Sequence, residues 1–210
     1  MEKTKNIFIL RHAETVKNKD FCIGGLQDSE LTEHGKLSTT YIGKAFQSMN
    51  IHSGNSVIYS AQTQRCKETC LILPRKDFII DTNIGPVDSG ELNGRKVHDV
   101  IQEKNLQFRD GDIQWAFMSE KGDTFTSFKN RVEHFKNTVI DKEQNENIII
   151  VTHGFTSRGL ILLLKNMTIS EDSISSLKTK RSTIYNFTLK NHKLHDFKEV
   201  SPIHEDFPLL

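Results

Sequence analysis

The sequence predicts an α/β fold: a three-layer α/β/α sandwich with a mostly parallel sheet and a C-terminal antiparallel hairpin. Two short apolar runs, Ile7–Leu10 and Ile148–Val151, each end abruptly in polar residues. Such runs are typical of strands buried on both faces of a parallel sheet. The third observation is the alternation of apolar and polar residues from Thr183 to Leu189, which indicates a half-buried strand.

The elements between the two apolar runs follow in order. A helix is predicted to begin at Thr32, because an acidic residue comes next and apolar residues then recur at helical spacing. A second strand is predicted at Ser56–Tyr59, followed by a helix from about Thr63 to Leu73. Asp77–Ile80 indicates a third strand, and Ile84–Gly94 is predicted to be a loop because it contains several glycines and a proline.

The second half of the chain begins with a stretch that shows no clear period, Asn105–Gly122. An irregular stretch of this length suits either a lid over a substrate or a satellite cluster on the domain. Its aromatic residues are Phe108, Trp115 and Phe117. Apolar residues at helical spacing predict an amphipathic helix across Phe125–Val139, and another helix is expected from about Thr156 to Leu164. Lys193–Phe197 is predicted to complete the hairpin.

Length, charge and cysteine content exclude several classes of protein. The 210 residues carry 28 Lys and Arg against 27 Asp and Glu, a net charge of +1, so we expect no nucleic-acid or membrane binding. No apolar stretch approaches the roughly 20 residues that cross a bilayer. Three cysteines do not make a disulfide framework, and Cys66 and Cys70 suit small core residues better than metal ligands. We expect one domain over residues 1–210, located in the cytoplasm.

Two histidines follow the ends of the two apolar runs. Arg11 and His12 come directly after the first strand, and His153 follows the second. Because ligands of open α/β sheets bind at the carboxyl ends of the strands, these side chains are expected to meet in one site. Arg65 lies in the first turn of a predicted helix, where the helix dipole already attracts an anion. The alternative for Arg65 is an exposed position on an amphipathic helix.

Three kinds of site compete for these residues. A metal site is disfavoured, because two arginines repel a cation and offer no acceptor. A serine hydrolase is disfavoured, because the sequence contains no G-x-S-x-G motif. Phosphoryl transfer onto histidine suits all four residues, since a neutral imidazole is a competent nucleophile and guanidinium groups match phosphoryl oxygens.

The same residues belong to a longer pattern of short motifs spread over most of the chain. The pattern resembles the histidine phosphatase superfamily, which includes the phosphoglycerate mutases. Each motif is weak alone, but the order and spacing are specific. The matching positions are Arg11–Thr15, Asn18, Leu31, Gly35, Arg65, Thr69, Gly90–Gly94, Gly122–Phe125, Arg131 and Thr152–Gly154.

The resemblance implies a role for each residue of the expected site. His12 would be the phosphorylated nucleophile, and Arg11, Asn18, Arg65 and His153 would form the phosphate pocket. His153 would also act in catalysis, by donating a hydrogen bond to the phosphoryl oxygens. The implied function is metal-independent hydrolysis of a small-molecule phosphate monoester, without an organic cofactor.

The sequence departs from the superfamily pattern at two positions. Ala13 replaces the usual glycine of R-H-G-E-T, which requires only an unstrained backbone at that point. Pro86 stands where many relatives carry a glutamate that protonates the leaving oxygen, and proline cannot donate a proton. Asp88 is our predicted replacement, because the fixed φ of Pro86 can redirect the loop, and Glu91 is the second choice.

Three other functions remain open at the level of sequence. A phosphoglycerate mutase would require the usual glutamate, so Pro86 counts against it. A phosphatase for phosphohistidine or another labile phosphate would need little help for its leaving group. A non-catalytic phosphate-binding scaffold is disfavoured by the intact set of His12, Arg11, Arg65 and His153.

Overall fold

The computed structural model describes residues 4–105 and 121–202. Its centre is a six-stranded sheet with the order β3-β2-β4-β1-β5-β6. The strands β1 to β4 run parallel, whereas β5 is antiparallel to β1 and β6 is antiparallel to β5. The predicted fold class is therefore confirmed. The strands are β1 (Thr4–Arg11), β2 (Ser56–Ser60), β3 (Ile79–Ile80), β4 (Asn147–Thr152), β5 (Ile184–Lys190) and β6 (Lys193–Val200).

Seven α-helices accompany the sheet within the described ranges. They are α1 (Val16–Lys19), α2 (Glu33–Ser48), α3 (Gln64–Ile72), α4 (Val97–Lys104), α5 (Phe125–Phe135), α6 (Gly154–Leu164) and α7 (Glu171–Ser176). The predicted helices α2, α3, α5 and α6 are confirmed, and Lys136–Ile140 extends α5 as a π-helical turn. The short helices α1, α4 and α7 were not predicted. Few apolar residues repeat along α1 and α7, and α4 has the helical spacing of Val97, Val100 and Ile101 but spans only about two turns.

Two predicted boundaries differ from those in the structure. Strand β3 spans only Ile79–Ile80 instead of Asp77–Ile80, and both of its residues are exposed at the edge of the sheet. Helix α6 begins at Gly154, just beyond His153 and two residues before the approximate predicted start at Thr156, so His153 is its N-cap. A glycine at the first helical position hides the helix start in the sequence, because glycine has a low helix propensity.

The core lies on the two central parallel strands. Every residue of β4 is buried, and so are the four apolar residues of β1 from Ile7 to Leu10. Phe128 and Phe135 of α5 are fully buried, which confirms that the phenylalanines of this helix belong to the core. Burying each side chain of this size contributes about 1.5–3 kcal/mol, so the sheet is rigidly held behind the strand ends.

Three further predictions concern the cysteines, the aromatic residues of the irregular stretch and membrane-spanning helices. Cys66 and Cys70 are buried free thiols, and burial raises the pKa of each to about 12, so both are neutral core residues. The aromatic residues Phe108, Trp115 and Phe117 of the predicted irregular stretch lie outside the described residues. Across residues 4–105 and 121–202, no helix is long and apolar enough to span a bilayer.

Candidate active site

The candidate site forms where the central strands end. Strands β1 and β4 are parallel neighbours, and Arg11 stands opposite Thr152 in their register. The His12 N–H donates to the Thr152 carbonyl at 2.8 Å, so the ladder continues one residue beyond β1. The rings of His12 and His153 therefore come together, with 5.1 Å between their centroids.

Local hydrogen bonding fixes the tautomer of His12. Its Nδ1 atom lies 2.8 Å from the carbonyl oxygen of Ala13. Because a carbonyl only accepts, Nδ1 carries the proton and Nε2 keeps its lone pair. Burial holds the pKa of His12 well below its ordinary value, and the positive charges of Arg65 and Arg11 lower this pKa further. The imidazole is therefore neutral at neutral pH and has a free nucleophilic nitrogen.

His153 is neutral for similar reasons, but its hydrogen bonds are different. Its Nε2 lies 3.2 Å from Thr63 Oγ1, and its Nδ1 lies 3.4 Å from Arg65 Nη2. A guanidinium only donates, so Nδ1 is the acceptor and Nε2 carries the proton. Burial, followed by the charges of His12, Arg65 and Arg11, lowers the pKa of His153 well below its ordinary value.

Arg65 is buried in the first turn of α3, with only 3 % of its surface exposed. The alternative of an exposed surface arginine is therefore wrong. Its Nη1 donates to the Asp28 carboxylate at 3.0 Å and to the Gln27 carbonyl at 2.9 Å, and its Nη2 donates to the Gly25 carbonyl at 2.7 Å. These bonds fix the plane of the guanidinium beside the two histidines.

Arg11 and Asn18 complete the set that the sequence predicted for phosphate binding. Arg11 Nη1 donates to the Thr179 carbonyl at 3.3 Å, and a Cβ atom at Gly154 would come within 3.3 Å of the Arg11 guanidinium carbon. Asn18 forms a capping box with Thr15, in which Asn18 Oδ1 accepts from the Thr15 N–H. That bond turns the amide so that its Nδ2 donors remain for the cavity, which Asn18 lines.

Several residues of the sequence motifs hold the turn that carries His12 and do not face the cavity. Glu14 Oε1 accepts from Thr32 Oγ1 at 2.7 Å, and the Ala13 N–H donates to Thr69 Oγ1 at 3.2 Å. A Cβ atom at Gly35 would come within 2.3 Å of the Glu14 carbonyl oxygen. These contacts explain why Glu14, Thr69 and Gly35 are part of the motifs. The backbone of Ala13 is not in the left-handed region, so alanine fits there without strain.

A cavity of about 420 Å³ opens in front of these residues. His12 and the four predicted phosphate-binding residues line it, together with five further cations that the sequence analysis missed. The basic run just before β5 was the signal for three of these cations, Lys178, Lys180 and Arg181. Among the described residues, no Asp or Glu lines the cavity. The additional cations are Lys17, Arg158, Lys178, Lys180 and Arg181.

The two predicted proton donors are placed differently from the rest of the site. Asp88 Oδ1 accepts from the Gly90 N–H at 2.8 Å and from Asn93 Nδ2 at 2.6 Å, so the carboxylate braces its own loop. Glu91 is exposed. Neither residue lines the cavity, whereas Pro86 does. The structure thus does not bring Asp88 and Glu91 together with His12, and their catalytic roles stay predictions.

Arg131 is a positioning residue whose contacts the sequence did not indicate. Its Nη1 donates to the carbonyls of Asn83 and Gly85, both at 2.9 Å, and its Nη2 donates to the Pro86 carbonyl at 2.9 Å. It also pairs with Asp123 at 3.4 Å. Arg131 therefore holds the loop that brings Pro86 to the cavity.

The geometry favours chemistry on an anion over chemistry on a metal. Across the described ranges, no group of three or more His, Cys, Asp or Glu side chains is arranged to hold a metal ion. Guanidinium groups bind phosphoryl oxygens in pairs and stabilise the charge that develops during transfer. A neutral imidazole among such groups is suited to accept a phosphoryl group.

The sequence matches one protein superfamily and is similar to several characterised enzymes. The sequence model of the histidine phosphatase superfamily (branch 1) matches residues 7–199. Phosphoserine phosphatase 1 of Hydrogenobacter thermophilus is 25% identical over 173 residues, 79% of this chain and 78% of that protein. The fructose-2,6-bisphosphatase of Saccharomyces cerevisiae is 25% identical over 179 residues, which are 83% of this chain but only 37% of that protein.

Two solved structures share the fold. The alpha-ribazole phosphatase from Shigella flexneri has a TM-score of 0.77 and 19% identity, with 93% of this chain and 96% of that chain covered. The phosphoglycerate mutase from Bacillus anthracis has a TM-score of 0.74 and 18% identity, with 95% and 94% covered. At such low identity, these likenesses establish the fold and leave the reaction open.

Proposed function

Because the chain belongs to the histidine phosphatase superfamily, we propose that it hydrolyses phosphate monoesters through a phosphohistidine on His12. One observation carries the proposal. The His12 imidazole is buried and neutral, its Nδ1 is held by the Ala13 carbonyl, and the ring lines a cavity walled by Arg11, Arg65 and His153. This arrangement supports phosphoryl transfer onto Nε2.

Substrate binding is assigned to the arginines and to Asn18. The Arg11 guanidinium would donate to phosphoryl oxygens, with the Asn18 amide as a further donor. Arg65 would contribute its charge, and would donate to the phosphoryl group by exchanging one of the contacts that its Nη atoms make with Gly25, Gln27, Asp28 or His153. A bound phosphate dianion also favours protonation of His153, since it offsets the neighbouring positive charges. Protonated His153 donates from both ring nitrogens, from Nε2 to Thr63 and from Nδ1 to a phosphoryl oxygen that replaces the present contact with Arg65 Nη2.

The reaction then proceeds in two transfers. In the first, the lone pair of His12 Nε2 attacks phosphorus, the P–N bond forms, and the ester P–O bond breaks as the leaving oxygen takes a proton from the Asp88 carboxyl group, the proposed donor. In the second, water gives a proton to the Asp88 carboxylate as its oxygen attacks the phosphohistidine, the new P–O bond forms while the P–N bond breaks, and inorganic phosphate leaves. The arginines stabilise the charge on the equatorial oxygens in both transfers.

Hydrolysis is preferred over a mutase reaction because of the residue at position 86. Pro86 is buried and lines the cavity, at the position where the superfamily resemblance places the acidic proton donor. A mutase must transfer the phosphoryl group between two hydroxyl groups and therefore needs a proton carrier in the site. Asp88 is our proposed donor for hydrolysis, which requires its carboxylate to leave Gly90 and Asn93 and turn towards the cavity.

A second candidate function is supported by the charge of the cavity lining. Within the described part of the chain, the lining contains no carboxylate and therefore no acid of the usual kind. A phosphatase of this form suits substrates whose leaving group departs without a proton, such as phosphohistidine, an acyl phosphate or an aryl phosphate. The relative rates of alkyl and aryl phosphates distinguish the two candidates.

A substrate panel with phosphoenzyme trapping tests the proposal. Alkyl, aryl and acyl phosphates are assayed with and without EDTA, and 3-phosphoglycerate is assayed for both phosphate release and isomerisation. We expect phosphate release that EDTA does not abolish, and a ³²P-labelled intermediate that is acid-labile and base-stable. A label that is stable in acid, or activity that depends on an added divalent ion, would contradict the proposed mechanism.

A further inference from the structure

The hydroxyl of Thr63 does not cap the helix that it begins. Thr63 is the N-cap of α3, but among the described residues its side chain makes no capping hydrogen bond. The Asp28 carboxylate takes that role, since its Oδ2 accepts from the Gln64 N–H at 2.7 Å and its Oδ1 accepts from the Arg65 N–H at 3.4 Å. A threonine at this position usually accepts from the first turn of its own helix. The Thr63 hydroxyl therefore serves another partner.

That partner is the ring of His153. Thr63 Oγ1 lies 3.2 Å from His153 Nε2, and both side chains are buried. The other ring nitrogen, Nδ1, lies 3.4 Å from Arg65 Nη2, which can only donate. Nδ1 is therefore an acceptor, Nε2 carries the proton, and the Thr63 oxygen accepts the hydrogen bond from Nε2.

The thiol of Cys66 fixes the direction of the Thr63 hydroxyl. A hydroxyl that accepts from His153 still has its own proton to donate. Burial raises the pKa of Cys66 to about 12, and hydrogen bonding with Thr63 acts against that rise, as it does when a hydroxyl donates to the sulfur. Cys66 Sγ also lies 3.4 Å from His153 Nε2, but sulfur is a weak acceptor. The Thr63 oxygen is therefore the principal partner of the Nε2–H group.

These contacts form one directed chain of hydrogen bonds between the two histidines. His153 donates to Thr63, Thr63 donates to Cys66, and the Cys66 thiol donates to the Thr152 carbonyl at 3.8 Å. The same carbonyl accepts from the His12 N–H at 2.8 Å. Reversing the direction of the chain would make Nε2 an acceptor and would place the proton on Nδ1, against the donors of a guanidinium.

We propose that Thr63 is a positioning residue for His153, oriented by Cys66, and that its hydroxyl keeps Nδ1 as the nitrogen that meets the phosphoryl group. The inference rests on the proposed function, in which a phosphoryl oxygen replaces the contact of Nδ1 with Arg65. The bond from Nε2 to Thr63 then holds the ring in place. Protonated His153 has a buried N–H on Nε2, and loss of the Thr63 oxygen would deprive this donor of its principal acceptor and disfavour the charged form.

Nitrogen NMR of the ¹⁵N-labelled protein tests the tautomer without any reaction. The His153 signals are assigned by their loss in His153→Asn. In the free protein, we expect Nε2 to have the chemical shift of a protonated ring nitrogen and Nδ1 that of an unprotonated one. Saturating orthovanadate, which resembles the transferred phosphoryl group, should move Nδ1 into the protonated range and leave Nε2 there. A protonated Nδ1 in the free protein would overturn the proposal.

Substitutions separate the Thr63 hydroxyl from the packing around it. Thr63→Val has the same shape but no acceptor, so kcat for p-nitrophenyl phosphate and the affinity for orthovanadate should both fall about 10- to 100-fold, with a smaller change in KM. Thr63→Ser keeps the hydroxyl and should retain most of the activity. Cys66→Ala leaves the acceptor in place and should cost less than Thr63→Val. The control is Thr188→Val, which removes a hydroxyl that donates to Asn6 Oδ1 at 3.0 Å near the start of β1, and it should keep full kcat.

The outcomes separate this inference from the proposed function. Equal losses in Thr63→Val and Thr63→Ser, or an orthovanadate affinity that Thr63→Val does not change, would overturn the role of the hydroxyl. If Thr63→Val does not fold, Thr63→Ala provides the same comparison with Thr63→Ser. Failure of the proposed function alone would appear as no phosphate release from any ester in the panel, with the expected nitrogen shifts and the expected loss of orthovanadate affinity still present.

Discussion

The two sides of the cavity are built in different ways. Arg11, His12 and His153 lie at the ends of β1 and β4, where the register of two buried strands sets their positions. We call them the strand-end wall. The loop wall comprises Pro86, Val87, Ser89 and the basic loop, residues 178–181, whose positions depend on local braces such as Asp88 and Thr179. In the strand-end wall both histidines are at most 5 % exposed, whereas Lys178 and Lys180 are exposed.

This difference indicates a division of roles. Groups that take part in bond making need fixed geometry, which buried strands supply. Groups that select a substrate tolerate a looser arrangement on loops, where residues change at low cost to the fold. We therefore expect substitutions in the strand-end wall to impair every substrate, and substitutions in the loop wall to change the ranking of substrates.

The largest effect is expected from His12→Asn in the strand-end wall. The variant removes the nucleophile, so kcat should fall by about 10⁴-fold or more for alkyl and aryl phosphates alike. Rapid-quench experiments should then trap no phosphoenzyme. His98→Asn is the matched control, since this side chain is 75% exposed on α4 and should keep full activity. A His12→Asn enzyme with near wild-type kcat would remove the nucleophile assignment.

Asp88→Asn tests the loop wall. An amide oxygen still accepts from the Gly90 N–H, but an amide cannot protonate a leaving group, so the change separates bracing from proton donation. If Asp88 is the donor, as the sequence predicts, hydrolysis of an alkyl phosphate should fall by about 10²–10⁴-fold. Hydrolysis of p-nitrophenyl phosphate should fall little, because the phenol leaves unaided. Equal losses on both esters would restrict Asp88 to bracing the loop.

Arg65→Lys should cost on the order of 10²-fold in kcat/KM. Lysine keeps the charge but loses the planar fork, which here spans Asp28, the Gly25 carbonyl and the neighbourhood of His153. The loss should be similar for all esters, as expected for the side of the cavity that carries out the chemistry. Arg95→Lys is the control, since Arg95 pairs with Glu103 on the surface. A loss confined to one class of ester would instead place Arg65 in substrate selection.

The strand-end wall could be predicted because local patterns in the sequence determine where its residues lie. The apolar runs identify β1 and β4, and parallel pairing then brings Arg11, His12 and His153 to the same edge. The position of Arg65 could also be predicted, since a helix that begins directly after a short parallel strand starts at the carboxyl edge of the sheet. No long-range information beyond the pairing of two strands was needed.

The loop wall could not be predicted, because its positions depend on contacts between distant parts of the chain. Asp88 was expected to face the cavity, yet the hydrogen bonds from Gly90 and Asn93 hold its carboxylate within the loop. The clamp of Arg131 on the Asn83–Pro86 backbone joins segments more than 40 residues apart. The basic loop lines the cavity because Thr179 meets Arg11, and no periodicity in the sequence indicates that contact.

The smallest effect concerns the ionisation of the strand-end histidines. Because the pKa values of His12 and His153 are lowered, their imidazole NMR signals should not titrate near pH 6.5, the ordinary pKa of a histidine side chain.

Linkage then gives the sign of the effect on stability. Between the lowered pKa of His12 in the folded state and about 6.5 in the unfolded state, the unfolded chain binds more protons. The free energy of unfolding should therefore fall as pH falls below about 6.5, by at most about 1.4 kcal/mol per pH unit for each histidine.

His12→Asn removes one of these contributions, so urea unfolding at pH 7.0, 6.0 and 5.5 should show a shallower pH dependence than the wild type. Identical slopes for His12→Asn and the wild type would mean that burial and the neighbouring arginines do not lower the pKa of His12 in the folded protein.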